Sequence, residues 1–328
     1  DGSSVKDVQI VEIPQFEQAP ANVLHKVYSL VIELFGLDNE HLTHLMIERG
    51  FSLDQTYLRG YASFTEETLR KQIKTKETVG DKTVGKTVWE DLFEQNGLSR
   101  DAWKGVAGFW YDTKNQTPIF MPTHRGIFIP NRNEFGQIIG GQIRVDEVSM
   151  KYGAEVNANW KDKARVVVKN VGKGQYHYTI YMFPDYDVYS EGVTPKKQLT
   201  FENGLSFKIK SSAKYVWLST SSKEYGCGAK NVPHYAFPDL VLAQARFDNN
   251  GNGLVNLIEL CQSVIVTEGL LKGDIIATQV PNSRLEKLGS TLVISMAGVN
   301  SWKQVAYHLK TKTRFARVFL AFDSDFKE

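Results

Sequence analysis

The chain has 328 residues, 42% of them hydrophobic and 23% charged, a globular composition long enough for two or three packed units rather than one. No run approaches the roughly 18 consecutive apolar residues of a membrane span, and the opening DGSSVKDVQIVEIP has no charged-then-apolar leader, so the expected setting is the cytoplasm, without membrane. Two cysteines, Cys227 and Cys261, exclude a disulfide framework and a four-thiolate zinc site; zinc is not expected, and any metal has to be held by oxygen.

A net charge of +2 is too mild to argue for nucleic acid by its size alone, so its distribution matters more. Basic clusters run from Arg70 to Lys86 and from Lys208 to Lys223. Each either follows a phosphate backbone or forms a solvated helix and loop.

In chain order, residues 1–22 carry Pro14 and Pro20 and read as an extended lead-in or tag remnant. From Val23 the pattern is helical, with Val27, Leu30, Val31 and Leu34 at i, i+3, i+4 and i+7 and a stop at Gly36. Ser63-x-x-Glu66 is a candidate capping box, Trp89, Leu92 and Phe93 mark another apolar face, and the region reads as mostly helical to about residue 108. Short β-rich runs follow. GIFIPNRNEFGQIIGGQIRVD predicts a hairpin or meander over 126–146, and ARVVVKNVGKGQYHYTIYMF predicts an antiparallel pair over 164–183 about Gly172-Lys173-Gly174. The span of about 150–213 reads as an inserted β element.

The last seventy residues change period. SVIVTEG, TLVISMAG and ARVFLAFDSD predict buried strands; LKGDIIATQV and NSWKQVAYHLK predict the helices between them, the second with a stripe of Trp302, Val305, Ala306 and Leu309. The expected fold class is α+β: a helical and antiparallel-β subdomain over 23–260, then a partial α/β subdomain with parallel strands over 261–328. In a right-handed parallel unit, ligands gather at the carboxyl ends of the strands.

Glu268, Asp323 and Asp325 each follow the apolar part of a strand. Three converging carboxylates repel one another unless a divalent cation neutralises them, and magnesium, or manganese in its place, is the natural oxygen-seeking partner. Such a site points to phosphoryl or nucleotidyl transfer. The competing reading is a helix cap at Glu268 and a solvated turn at the aspartates.

The pair Glu268-Gly269 with Asp323-Ser324-Asp325 resembles the signature of the Toprim domain shared by DnaG-type primases, topoisomerases and some nucleases. IFIPNRNEFGQIIGGQIR, ending at Arg144, and the later Lys214-Tyr215-Val216-Trp217-Leu218-Ser219 resemble the primases within that group, as do IERGFSLDQTYLRGYAS from Ile47 and GVAGFWYD from Gly105. The resemblance spans about 42–325 and is closest to primase-like proteins of phages and conjugative or integrated mobile elements. It implies DNA-templated synthesis of short RNA primers from nucleoside triphosphates on a single-stranded template, with a replicative helicase as a partner. The acidic trio would be both catalytic and metal-binding, and Arg144 and Lys214 would lie in a basic groove. Ser219 and Lys223 are further candidate phosphate contacts, with a polar turn as the alternative. A Toprim nuclease and a catalytically silent nucleic-acid-binding accessory remain the rival functions.

Two departures from the family pattern stand out. Lys272 replaces an expected aspartate four residues after Glu268, and reads either as a triphosphate contact or as a lysine extended along its helix, with Asp274 as a substitute acid. The chain also ends three residues after Asp325, so the Toprim unit is expected to be truncated.

Other motifs compete. Asp248-Asn-Asn-Gly-Asn-Gly253 with Glu259 matches a calcium loop, but only two of its side-chain ligands would be charged and a hairpin turn rich in asparagine and glycine suffices. His41 and His44 share a helix face without a third ligand and read as partly exposed; His234 is a loop histidine or a nucleotide contact; Cys227 has no adjacent base.

Overall fold

Residues 14–79, 82–282, 290–298, 302–312 and 315–322 are described by a computed structural model. Its backbone divides into two units, Asp1–Ile143 with Trp217–Glu328, and Arg144–Val216.

In the first unit, helix α1 (Ala21–Phe35) buries Leu24, Val27, Tyr28, Leu30, Val31 and Phe35. The expected stripe holds through Val31; beyond it Leu34 is only half-buried, while Phe35 is buried against Phe64 and Trp89. After α2 (Asn39–Thr43) and a π-helical turn, α3 (Leu53–Arg59) starts at a capping box of Ser52 and Gln55. The box expected at Ser63 does not form. Ser63 is buried in β1 (Ala62–Phe64), where its hydroxyl accepts from Asp38 N, and Thr65 with Thr68 caps α4 (Glu66–Arg70) instead.

The expectation of a mostly helical region to about residue 108 is corrected by a hairpin within it. β2 (Ile73–Val79) pairs antiparallel with β3 (Lys82–Thr87), so the Arg70–Lys86 cluster is mainly a hairpin rather than a helix and loop. The two sequences are rich in β-branched residues (Ile73, Thr75, Thr78 and Val79; Thr83, Val84 and Thr87), which favour that pleated state. Beyond α5 (Trp89–Gln95), β4 (Phe109–Asp112) pairs with β5 (Thr117–Phe120). Trp89, Phe93, Phe109, Phe120, Phe64 and Phe35 interlock here, with the Trp89 and Phe109 centroids 4.9 Å apart. Gln72 satisfies the polar end of that cluster by accepting from Trp89 Nε1 at 2.8 Å.

The anticipated pair over 126–146 is β6 (Gly126–Arg132) beside β7 (Ile138–Val145), and β1 pairs antiparallel with β6.

The second unit contains the expected β-rich span. Strands β8 (Tyr152–Val156), β9 (Ala164–Gly172), β10 (Gln175–Met182), β11 (Asp187–Thr194), β12 (Gln198–Thr200) and β13 (Ser206–Ser211) form two antiparallel sheets, ordered β12-β13-β8 and β11-β10-β9. Val166, Val168, Tyr176, Ile180, Phe207 and Ile209 are among the residues of their common core.

The chain re-enters the first unit through β14 (Tyr215–Trp217), whose edge continues as Leu218 N donating to Gly141 O at 3.0 Å. Next come β15 (His234–Ala236), α6 (Asp239–Leu242), β16 (Ser263–Glu268), α7 (Leu270–Gln279), β17 (Thr291–Met296), α8 (Trp302–Lys312) and β18 (Arg317–Ala321). Among the described residues their sheet is ordered β15-β17-β16-β18, with β16 parallel to both neighbours and β15 antiparallel to β17. Val264, Val266, Leu292 and Ile294 occupy one buried face; Ile265 and Val293 occupy the other with Ala277. The α8 stripe is narrower than expected. Val305 is buried and Leu309 half-buried, whereas Trp302 and Ala306 are exposed. The chain is thus a mixed α+β protein with more strand than helix, and its sheets are mostly antiparallel.

Candidate metal centre and anion cleft

Glu268 is the last residue of β16, opposite Met296 of β17, while Ala321 at the end of β18 lies opposite Thr267. All three strands are parallel, so their carboxyl ends share one edge. Gly269, at φ 76°, turns the chain into α7 and donates its N–H to Met296 O at 2.6 Å. Asp323 and Asp325 follow β18 in sequence and lie outside the described residues. Among the described residues, no group of three or more His, Cys, Asp and Glu is arranged to hold a metal. Glu268 contributes a half-buried carboxylate at the carboxyl end of β16, which suits magnesium in donor type.

Lys272 lies one helical turn beyond Glu268, its Nζ 3.5 Å from Glu268 Oε1. The residue weighed as a phosphate contact or an extended helix lysine is therefore an ion-pair partner of the candidate ligand.

Asp274 does not substitute for the missing acid. It is buried and turned inward, its Oδ1 accepting from Arg59 Nη1 at 2.6 Å and its Oδ2 from the Tyr61 hydroxyl at 2.8 Å. His234, also buried, completes the group. Its Nδ1 accepts from Arg132 N at 3.0 Å, which leaves Nε2 to donate to Asp274 Oδ1 at 3.2 Å. Neither a loop position nor a nucleotide contact fits that residue. Burial alone would raise the Asp274 carboxyl, but Arg59, then His234 and Tyr61, more than offset it and bring it down to about 2. Arg59 further donates to Asp239, Thr278 and Phe237 O, tying α3 to α6 and α7. Arg132 spends its guanidinium on the carbonyls of Gly136 and Arg59; burial, then Arg59's charge, lowers it to about 10.

In the second unit, Arg144 and Lys214 line one cleft of about 340 Å³. Their segments are joined where Val145 N donates to Lys214 O at 2.9 Å. Lys197 and Ser211 add polar groups, and Tyr176 and Ile209 supply apolar wall. Arg144 Nε is sealed from solvent with no acceptor among the described residues. The chemistry is cationic and apolar together, which suits a phosphate-bearing ligand of nucleotide size. Sequence reasoning found Arg144 and Lys214 but missed Lys197. The adjacent pair Lys196-Lys197 after Pro195 was the available signal.

Ser219 and Lys223 do not line that cleft. The Ser219 and Ser221 hydroxyls bond each other at 2.9 Å in a polar turn, and Lys223 Nζ lies 5.3 Å from the Trp110 ring centroid.

The calcium-like loop is a self-bonded turn. Asp248 Oδ1 accepts from Asn250 N and Asn252 N, Oδ2 accepts from Asn252 Nδ2, and Glu259 is bonded by Asn256. His41 is buried against Ser63 rather than partly exposed, and His44 bonds Glu48 at 2.9 Å. Cys227 is buried, and burial pushes its thiol up, away from nucleophilic chemistry.

Comparison with models of known protein families, and with curated proteins, found no match to this chain.

Proposed function

We propose that the chain is a primase-type nucleotidyl-transfer core of a phage or mobile element, making short RNA primers on single-stranded DNA. One observation carries this reading: Glu268 ends the strand that has parallel neighbours on both sides, and one of those neighbours, β18, leads in sequence to Asp323-Ser324-Asp325. Magnesium, held by Glu268, Asp323 and Asp325, would supply charge neutralisation at the transferring phosphoryl group. Arg144 and Lys214 would orient the phosphates of nucleotide or template.

Incubation with single-stranded template, magnesium and labelled nucleoside triphosphates should yield short oligomers, lost in Glu268→Gln and in Asp323→Ala. Template cleavage without synthesis would replace the proposal with a nuclease. The Glu268–Lys272 pair favours a second reading, a replication accessory that binds template without chemistry, because a cation stands where the family pattern has an acid. Template binding with neither synthesis nor cleavage would establish that reading.

A further inference from the structure

Lys197 belongs to none of the primase-like motifs; it lies in the β-rich span between Arg144 and Lys214, immediately before β12. Its carbonyl accepts from Ile209 N at 2.7 Å, which fixes its backbone across from β13, and its side chain lines the Arg144–Lys214 cleft. Three cations from three separate segments therefore border one small volume. Glu147, also at the cleft, has Oε1 engaged by Asn170 Nδ2 at 3.0 Å. Tyr152 and Tyr176, with centroids 5.3 Å apart at a tilt of 53°, also line the cleft, as do the apolar Ile209 and Val145.

Size and charge choose among anions. At about 340 Å³ the cleft lies at the small end of small-molecule sites. Arg144, Lys197 and Lys214 against Glu147 leave a net charge of about +2 at the cleft, more than a single phosphodiester requires and of the sign that a polyphosphate chain needs.

We propose that Lys197 is a specificity-determining residue of this cleft, making it a site for the triphosphate of a nucleotide rather than for the template backbone. The proposal rests on the primase reading for the ligand's identity, but not for its test.

Binding by the full chain is measured in EDTA, so that the Glu268 centre is not required. The probes are ATP, inorganic triphosphate and a twelve-residue oligothymidylate. Lys197→Gln should weaken ATP and triphosphate by about tenfold, roughly 1.4 kcal/mol, and leave the oligonucleotide within about twofold. Lys196→Gln, an exposed neighbour outside the cleft, should change none of the three; unchanged circular dichroism and melting of both variants exclude misfolding. Lack of ATP binding by the parent protein, equal losses in the two variants, or an oligonucleotide loss equal to the ATP loss would overturn the proposal. ATP binding that depends on Lys197 in a protein that makes no primers would uphold the cleft and reject the primase reading.

Discussion

Asp274 and Lys272 stand two residues apart on α7 and have opposite environments. Asp274 is sealed between Arg59, Tyr61 and His234, whereas Lys272 and Glu268 are each about one-third exposed. Replacing Asp274 with Asn leaves Arg59 buried without its principal counter-charge, a change that typically costs about 3–5 kcal/mol; urea unfolding should show a loss on this scale. The acid also gives a pH signature. Its folded value of about 2 lies below the unfolded value near 3.9, so the stabilisation is complete above about pH 4 and disappears as pH falls through 2. Asp274→Asn should flatten this part of the stability profile. For Lys272, removal of a cation beside Glu268 should tighten manganese binding by up to about fivefold in Lys272→Ala, in line with the ~1 kcal/mol upper range of such exposed pairs. Titration followed by electron paramagnetic resonance reads that change.

At the scale of elements, the seating of α7 depends on close approach to β17. A Cβ on Gly273 would collide with Ser295 Oγ and stand 2.9 Å from Ser295 Cβ. Gly273→Ala should therefore push the helix from the sheet, costing about 1–3 kcal/mol as overpacked substitutions do, and a shifted melting temperature should report it. The same helix packs Leu270 and Leu271 against Ile127 and Ile129 of β6, so its displacement should also disturb the sheet that bears β1. Strand and helix order in this region was readable because continuous apolar runs alternate with helical periods. The hairpins at β2–β3 and β4–β5 were not, since short threonine- and aromatic-rich runs beside helices fit either state until partners are known.

At the scale of the whole molecule, the unit of Arg144–Val216 has an interior of its own. Phe207 is 2% exposed within it, and Phe207→Ala should cost about 3–5 kcal/mol locally. Hydrogen exchange should show lost protection over 144–216 with β15 to β18 unchanged. Comparable losses in both units would contradict separate cores. The sequence by itself determined the parallel series around Glu268, the β10 hairpin, the α1 stripe and the candidacy of Arg144 and Lys214, because each depends on local periodicity or a short motif. Only the tertiary structure decided that Asp274 and His234 belong to a buried network, that Lys272 pairs with Glu268, and that Lys197 borders the Arg144–Lys214 cleft. Those roles depend on partners distant in sequence, and a side chain's charge does not specify which distant group will face it.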